Sequence, residues 1–159
     1  MKFIEAQKPE SRHHSYVFQI SPREKELLLA TLQFFPQLDS SYHQLSRNPK
    51  TAGKAEQEWL EEAMEQLRLE HKKKLAQFFN NDHRFFKESH GEFRFALTEE
   101  QMEWLLRVLN EIRVGSWVRL GRPEMEAARK IKMTGPQAHL FSAMELSGYF
   151  QTNLLEAFS

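Results

Sequence analysis

Apolar residues fall into two repeating patterns along this chain, one of period two and one of helical period. In SYVFQISPREKELLLATL (residues 15–32) Tyr16, Phe18 and Ile20 alternate with polar neighbours, and in EFRFALTEEQMEWLLRVL (92–109) Phe93, Phe95 and Leu97 do the same. Alternation of this kind predicts a half-buried strand. Each strand runs into a hydroxyl residue followed three positions later by Glu or Gln: Ser21 with Glu24, Thr98 with Gln101. That is the capping-box spacing, and Pro22 stands at the first helical position, where a missing N–H costs nothing. Leu97 and Met102 are spaced for a hydrophobic staple. Both segments therefore predict a short strand feeding a helix, and the two strands are expected to pair into a small ribbon lying on the helices.

Between them, Leu60, Met64, Leu67, Leu75 and Phe78 mark one face of a long helix from Ala55 to about Phe79. Asn80-Asn81-Asp82 predicts a break, with a short helix continuing through Phe85 and Phe86. Residues 36–54 and 121–135 are rich in turn formers and predict loops. A last helix is expected to open at Thr134, with Gln137 completing a third capping box, and to run nearly to Phe158. The expected fold is mainly α: one helical domain over residues 1–159, a bundle of about four main helices with a small two-stranded β element.

Length and composition suit that picture. The chain has 159 residues, 40% of them apolar and 28% charged, enough to bury a sizeable core. Basic and acidic residues balance at 22 each. Phosphate neutralisation supplies most of a nucleic-acid binder's affinity, so zero net charge argues against that class. The local run Lys72-Lys73-Lys74 with nearby Arg68 is read as a solvated helix face. Without cysteine there is no disulfide, thiolate zinc site or cysteine nucleophile. MKFIEAQKPESRHH has no apolar core of signal-peptide length, and no run approaches the roughly 18 apolar residues of a membrane span. A cytoplasmic protein that does not enter a membrane is expected.

Within LNEIRVGSWVRLG (109–121) a permanent cation interrupts the apolar stripe. At about 100° per residue, Met102, Leu106, Leu109, Arg113 and Leu120 fall within about 60° of arc. Burying an arginine alone costs several kcal/mol, so the position predicts an internal strut that meets a carboxylate. The alternative is an anion or peptide-carboxylate site lined by Asn110, Arg113 and Trp117. His71 similarly replaces an apolar residue in its stripe and is read as a buried polar group, not a ligand. No HExxH, no second ExxH to make the pair of carboxylate-bridged di-metal bundles, no GxSxG and no glycine-rich phosphate loop is present, so no catalytic residue, metal or cofactor is nominated. His83, His90 and the His13-His14 pair sit in polar surroundings and are expected at the surface. Phe34-Phe35, Phe78-Phe79 and Phe85-Phe86 place one ring of each pair towards a second surface, which suits a protein partner or a homodimer. Gly148, with Ser147 and Ala143, predicts close approach of the last helix to a neighbour.

FQISPREKELL, LLRVLNEIRVGSWVRLG and FSAMELSGYFQTNLLEAF together resemble a bacterial family known only as a domain of unknown function, number twenty-seventeen in its series. The family pattern of Asn, an acidic residue, Arg and then Arg-Leu-Gly carries over to Asn110, Glu111, Arg113, Arg119, Leu120 and Gly121. The chain departs from it at Trp117-Val118, where smaller residues are usual, and at Glu58-Trp59-Leu60. The resemblance implies a link to proteolysis or stress regulation, since actinobacterial relatives are often encoded beside the adaptor that delivers substrates to the Clp protease. It implies no activity. The expected function is a non-catalytic regulatory or adaptor-like protein-interaction module, set against a small enzyme or ligand-binding protein that recognises an anionic group through Asn110 and Arg113.

Overall fold

A computed structural model describes residues 1–7, 15–36, 53–80, 84–124, 126 and 134–159, with the side chains of Phe79 and Asn80 excepted. Its elements are β1 (Lys2–Gln7), β2 (Ser15–Ile20), α1 (Pro22–Leu32), α2 (Lys54–Asn80), β3 (Phe86–Lys87), β4 (Phe93–Thr98), α3 (Glu99–Arg119) and α4 (Pro136–Leu155), closed by a 3-10 turn over Glu156–Phe158. The strands form a four-stranded antiparallel sheet in the order β1-β2-β4-β3. The fold is therefore α+β, and the expected helical bundle with a two-stranded element is corrected.

The expected pairing of the two strand-to-helix units does form. β2 and β4 run antiparallel from Ser15↔Thr98 to Ile20↔Phe93, which sets Phe18 opposite Phe95. These rings stack at 5.5 Å and are buried with Ile20 and Leu97. Both capping boxes are made: Ser21 and Thr98 accept from the backbone of Glu24 and Gln101, whose side chains return to the cap residues' own N–H groups. Each helix start is thus tied to a strand end, and because the strands run antiparallel the two helices leave opposite ends of the central strand pair.

The sheet is wider than a ribbon because two weakly patterned segments join its edges. KFIEAQ alternates poorly because the register shifts between Phe3 and Glu5; Phe3 stands opposite Phe18, their rings 5.7 Å apart. On the other edge, the helix expected through Phe85 and Phe86 does not form. Phe86 and Lys87 pair with Arg94 and Phe93, leaving the Phe86 ring exposed while Phe85 packs on Phe95 at 5.2 Å. The last helix likewise opens without its predicted cap. Gly135, at φ 59, precedes Pro136, and no side chain caps that end.

α3 is central, packing on α4 along most of its length and contributing Met102, Leu105, Val108, Leu109 and Ile112 to the core. Gly115 and Ser116 on α3 and Ala143 and Ser147 on α4 are all buried, the small residues that let two helix backbones approach. The close approach read from Gly148 is present. α2 enters the core only through its second half: Leu75 and Phe78 are buried, Leu67 is exposed, and Trp59 is 71% exposed. Among the described residues no helix is long and apolar enough to cross a membrane.

Candidate functional site

Among the described residues the buried arginine is Arg68. It lies on α2, is 8% exposed, and places Nε 3.9 Å from Oε1 of Glu111 on α3. The sequence pattern assigned the internal strut to Arg113, and the structure corrects this: Arg113 is exposed. The buried face of α3 runs through Leu105, Leu109, Ile112 and Ser116, one position round the helix from the stripe that contained Arg113. Leu106 and Leu120, which suggested that stripe, are only partly buried. Arg68 is also removed from the basic face it was grouped with, leaving Lys72, Lys73 and Lys74 exposed alone. His71 is half-buried beside the Phe35 ring at 6.0 Å. Burial lowers its pKa, and the neighbouring charges of Lys74 and Arg107 act in the same direction.

Asn110, Arg113 and Trp117 do come together. Spaced three and four residues apart, they share one face of α3 and form one wall of an open groove of about 880 Å³. Met144, Glu145, Gly148 and Tyr149 of α4 form the other, with Asn153 and Glu156 at its end. Arg113 lies over Gly148: a Cβ at that glycine would stand 3.7 Å from Arg113 Nε and 3.8 Å from Cζ. Those are ordinary van der Waals distances, so the guanidinium packs along α4 beside Gly148. Among the described residues no carboxylate lies within ion-pair distance of Arg113, although Glu145 and Glu156 line the same groove. Its charge is available to a ligand.

The groove walls are held by hydrogen bonds that do not occupy Arg113. Trp117 donates from Nε1 to the Pro123 carbonyl at 3.1 Å, and Arg122 approaches the indole face at 6.0 Å. Asn153 donates to the Tyr149 carbonyl at 2.7 Å and Thr152 to that of Gly148 at 3.0 Å. The Tyr149 hydroxyl donates to Glu24 on α1 at 2.5 Å, and the Met1 amino group also contacts that carboxylate. Glu111 and Arg119 lie off the groove, Glu111 towards α2 and Arg119 on the exposed last turn of α3. Gly121, at φ 86, takes the left-handed conformation that ends α3, a structural role.

Glu24 and Tyr149 are the groups of this region that sequence patterns missed, because residues 125 positions apart carry no mutual spacing signal. Burial by itself raises the Glu24 pKa, but hydrogen bonds from the Met1 amino group, Tyr149 and Ser21 outweigh it and hold the carboxyl at about 2. The same bond to Glu24, with burial, pushes the Tyr149 phenol up to about 12. A carboxyl whose folded value lies below its unfolded one stabilises fully above the unfolded value, here 4.5, and the contribution disappears as pH falls towards 2. The group is partly solvated, which screens the effect to about 1 kcal/mol. Urea unfolding of Glu24→Gln and the parent between pH 6 and pH 2 is expected to show a stability gap that closes across that window. A gap constant with pH would contradict the assignment.

Among the described residues no three His, Asp or Glu side chains are grouped to hold a metal. His90 is exposed and meets Glu88 at 2.9 Å and Glu92 at 3.5 Å on the β3–β4 turn, while His13, His14 and His83 lie outside the described residues. Comparison with protein-family models, with curated proteins and with solved structures finds no match to this chain.

Proposed function

We propose that this chain is a non-catalytic protein-interaction module, regulatory or adaptor-like, that seats a carboxylate-bearing segment of a partner in the groove between α3 and α4. One observation carries the reading: the Arg113 guanidinium stands in a concave site with no carboxylate paired to it among the described residues. Asn110 adds a neutral hydrogen-bonding group one turn earlier. Trp117, Met144 and Tyr149 supply the aromatic and thioether surface that interface centres favour. An arginine fork matches a carboxylate in two parallel hydrogen bonds, so a partner's acidic side chain or terminal carboxylate fits it. The family resemblance adds proteolysis or stress regulation as the setting from which such a partner would come.

The alternative, a small enzyme or ligand-binding protein acting on an anionic group, is favoured by the acidic residues Glu145 and Glu156 in the same groove. The perturbed pair beside it argues for binding without turnover. General acid–base catalysis works best with a pKa near the working pH, whereas Glu24 sits at about 2 and Tyr149 at about 12. Both are displaced away from neutrality.

Selection from a random peptide library, followed by affinity measurement on the recovered sequences, tests the proposal. The expected result is enrichment of Asp, Glu or a free C-terminus beside an aromatic or aliphatic residue. Arg113→Ala should weaken binding about tenfold, the value of a charge-assisted hydrogen bond, at an unchanged unfolding midpoint. Peptides that bind Arg113→Ala equally well would overturn it, as would steady turnover of a small molecule. Self-association lost in the same variant would identify the partner as a second copy of the chain.

A further inference from the structure

A second cleft, about 510 Å³ in volume, opens at the N-terminal end of α3, on the side facing α2. Lys74, Gln77 and Phe78 of α2 line it, together with Thr98, Gln101 and Trp104 around the start of α3 and Arg84 from the segment before β3. Arg84 is the organising group. Its guanidinium lies 4.4 Å from the centre of the Phe78 ring, and Nη1 reaches neutral acceptors only, the Gln101 side chain at 3.3 Å and the Ala96 carbonyl at 3.4 Å. Among the described residues no carboxylate lies within 4.0 Å of it, and Arg84 Nε is buried without an acceptor. Burial draws its pKa below the ordinary arginine value.

A second donor is stranded in the same place. Trp104 is 8% exposed, and its Nε1–H has no acceptor among the described residues. A buried donor left without a partner is destabilising, and native structures rarely keep two in one cleft unless something meets them. Lys74 adds an exposed cation at the mouth, 4.0 Å from exposed Glu100. The positive end of the α3 dipole points the same way. Two cations and a helix start border a space walled by Phe78 and Trp104, whose rings lie 5.9 Å apart, and the two residues with unmet buried donors, Arg84 and Trp104, both line it.

We propose that this cleft binds a small organic phosphate: Arg84, Lys74 and the Trp104 indole N–H hold the phosphoryl oxygens, and the organic part lies along Phe78 and Trp104. A planar guanidinium with an ammonium beside it suits a dianion, and Arg–phosphate pairing is commonly bidentate. The cleft is far larger than a phosphate ion, and its remaining wall is aromatic, so an ester should bind better than the bare ion. Glu100 competes for Lys74 and repels the ligand from the rim.

Calorimetric titration of the whole chain with phenyl phosphate, inorganic phosphate and sulfate tests this. Phenyl phosphate is expected to saturate one site below about 1 mM and to bind more tightly than either inorganic anion. Arg84→Gln should weaken it about tenfold or more, and Glu100→Gln should tighten it by roughly twofold to threefold. In a Trp59→Phe, Trp117→Phe background the remaining Trp104 emission should change along the same isotherm. Should Arg84→Gln fail to fold, Lys74→Gln, whose side chain is half exposed, is expected to weaken binding at unchanged circular dichroism. Absence of saturation by phenyl phosphate, or an affinity untouched by these variants, overturns the proposal. Equal weak binding of all three ligands overturns it as well, and indicates an adventitious ion only.

Discussion

Phe95→Ala is expected to cost about 3 to 5 kcal/mol of folding stability, the range for emptying a fully packed aromatic site. Phe95 is 2% exposed, stacks on Phe18 across the central strand pair and meets Phe85 from the segment before the edge strand. Its removal therefore opens a cavity where β2, β4 and the segment before β3 converge on the helical layer. Domains of this size are stable by only about 5 to 15 kcal/mol, so the variant should unfold at markedly lower urea or be largely unfolded at 37 °C. Phe86→Ala is the matched control. That ring is 69% exposed, and its loss should stay within about 0.5 kcal/mol. A helix through Phe85 and Phe86 in place of the edge strand gives no reason for so large a difference between the two sites.

Glu111→Ala is expected to destabilise by about 3 kcal/mol, because it leaves the Arg68 cation buried without the carboxylate it faces. The pair joins α2 to α3 at 3.9 Å, with both side chains largely removed from water. What such a pair contributes and what breaking it costs are different quantities: removal of one partner is expensive, whereas replacing both with apolar residues of similar volume is often neutral or favourable. Arg68→Met with Glu111→Leu should therefore recover most of the loss. Urea unfolding of the two single variants and the double variant measures the coupling directly. Additive losses in the double variant would show that the two side chains do not act on each other. Glu111 does not line the groove, so the ion pair gives it a structural task separate from that site.

Much of the architecture could be read from local pattern, since the deciding interactions were themselves local. Ser21 with Glu24 and Thr98 with Gln101 meet within a single helical turn, and both boxes form as spaced. The alternation around Phe18 and Phe95 marked the strands that pair. β1 and β3 escaped notice because one carries a bulge that breaks its period and the other is two residues long. Without them the sheet looks like a ribbon and the fold like a bundle.

Arg113 shows a different limit. Helical periodicity places a residue on an arc, but the width of the buried arc depends on how many neighbours the helix has. α3 packs against both the core around α1 and the facing helix α4, so its buried face turns towards Leu105 and Ile112 and leaves Arg113 at the edge. Asn110, Arg113 and Trp117 were legible as a set because they share one helix. Tyr149, Gly148 and Glu145 were not, since only folding brings α4 to them. The same holds for Arg84 and Trp104, which folding brings to one cleft that α2 also lines.

Unfolding of Arg113→Ala beside Arg68→Ala in urea, under identical conditions, most directly tests whether the groove arginine is kept for a partner while the other cation holds the helices together. The predicted result is a change within about 0.5 kcal/mol for Arg113→Ala and a loss of at least about 2 kcal/mol for Arg68→Ala. A collapse of Arg113→Ala with Arg68→Ala left intact would contradict the account, returning the strut to α3 and leaving the groove without its available charge.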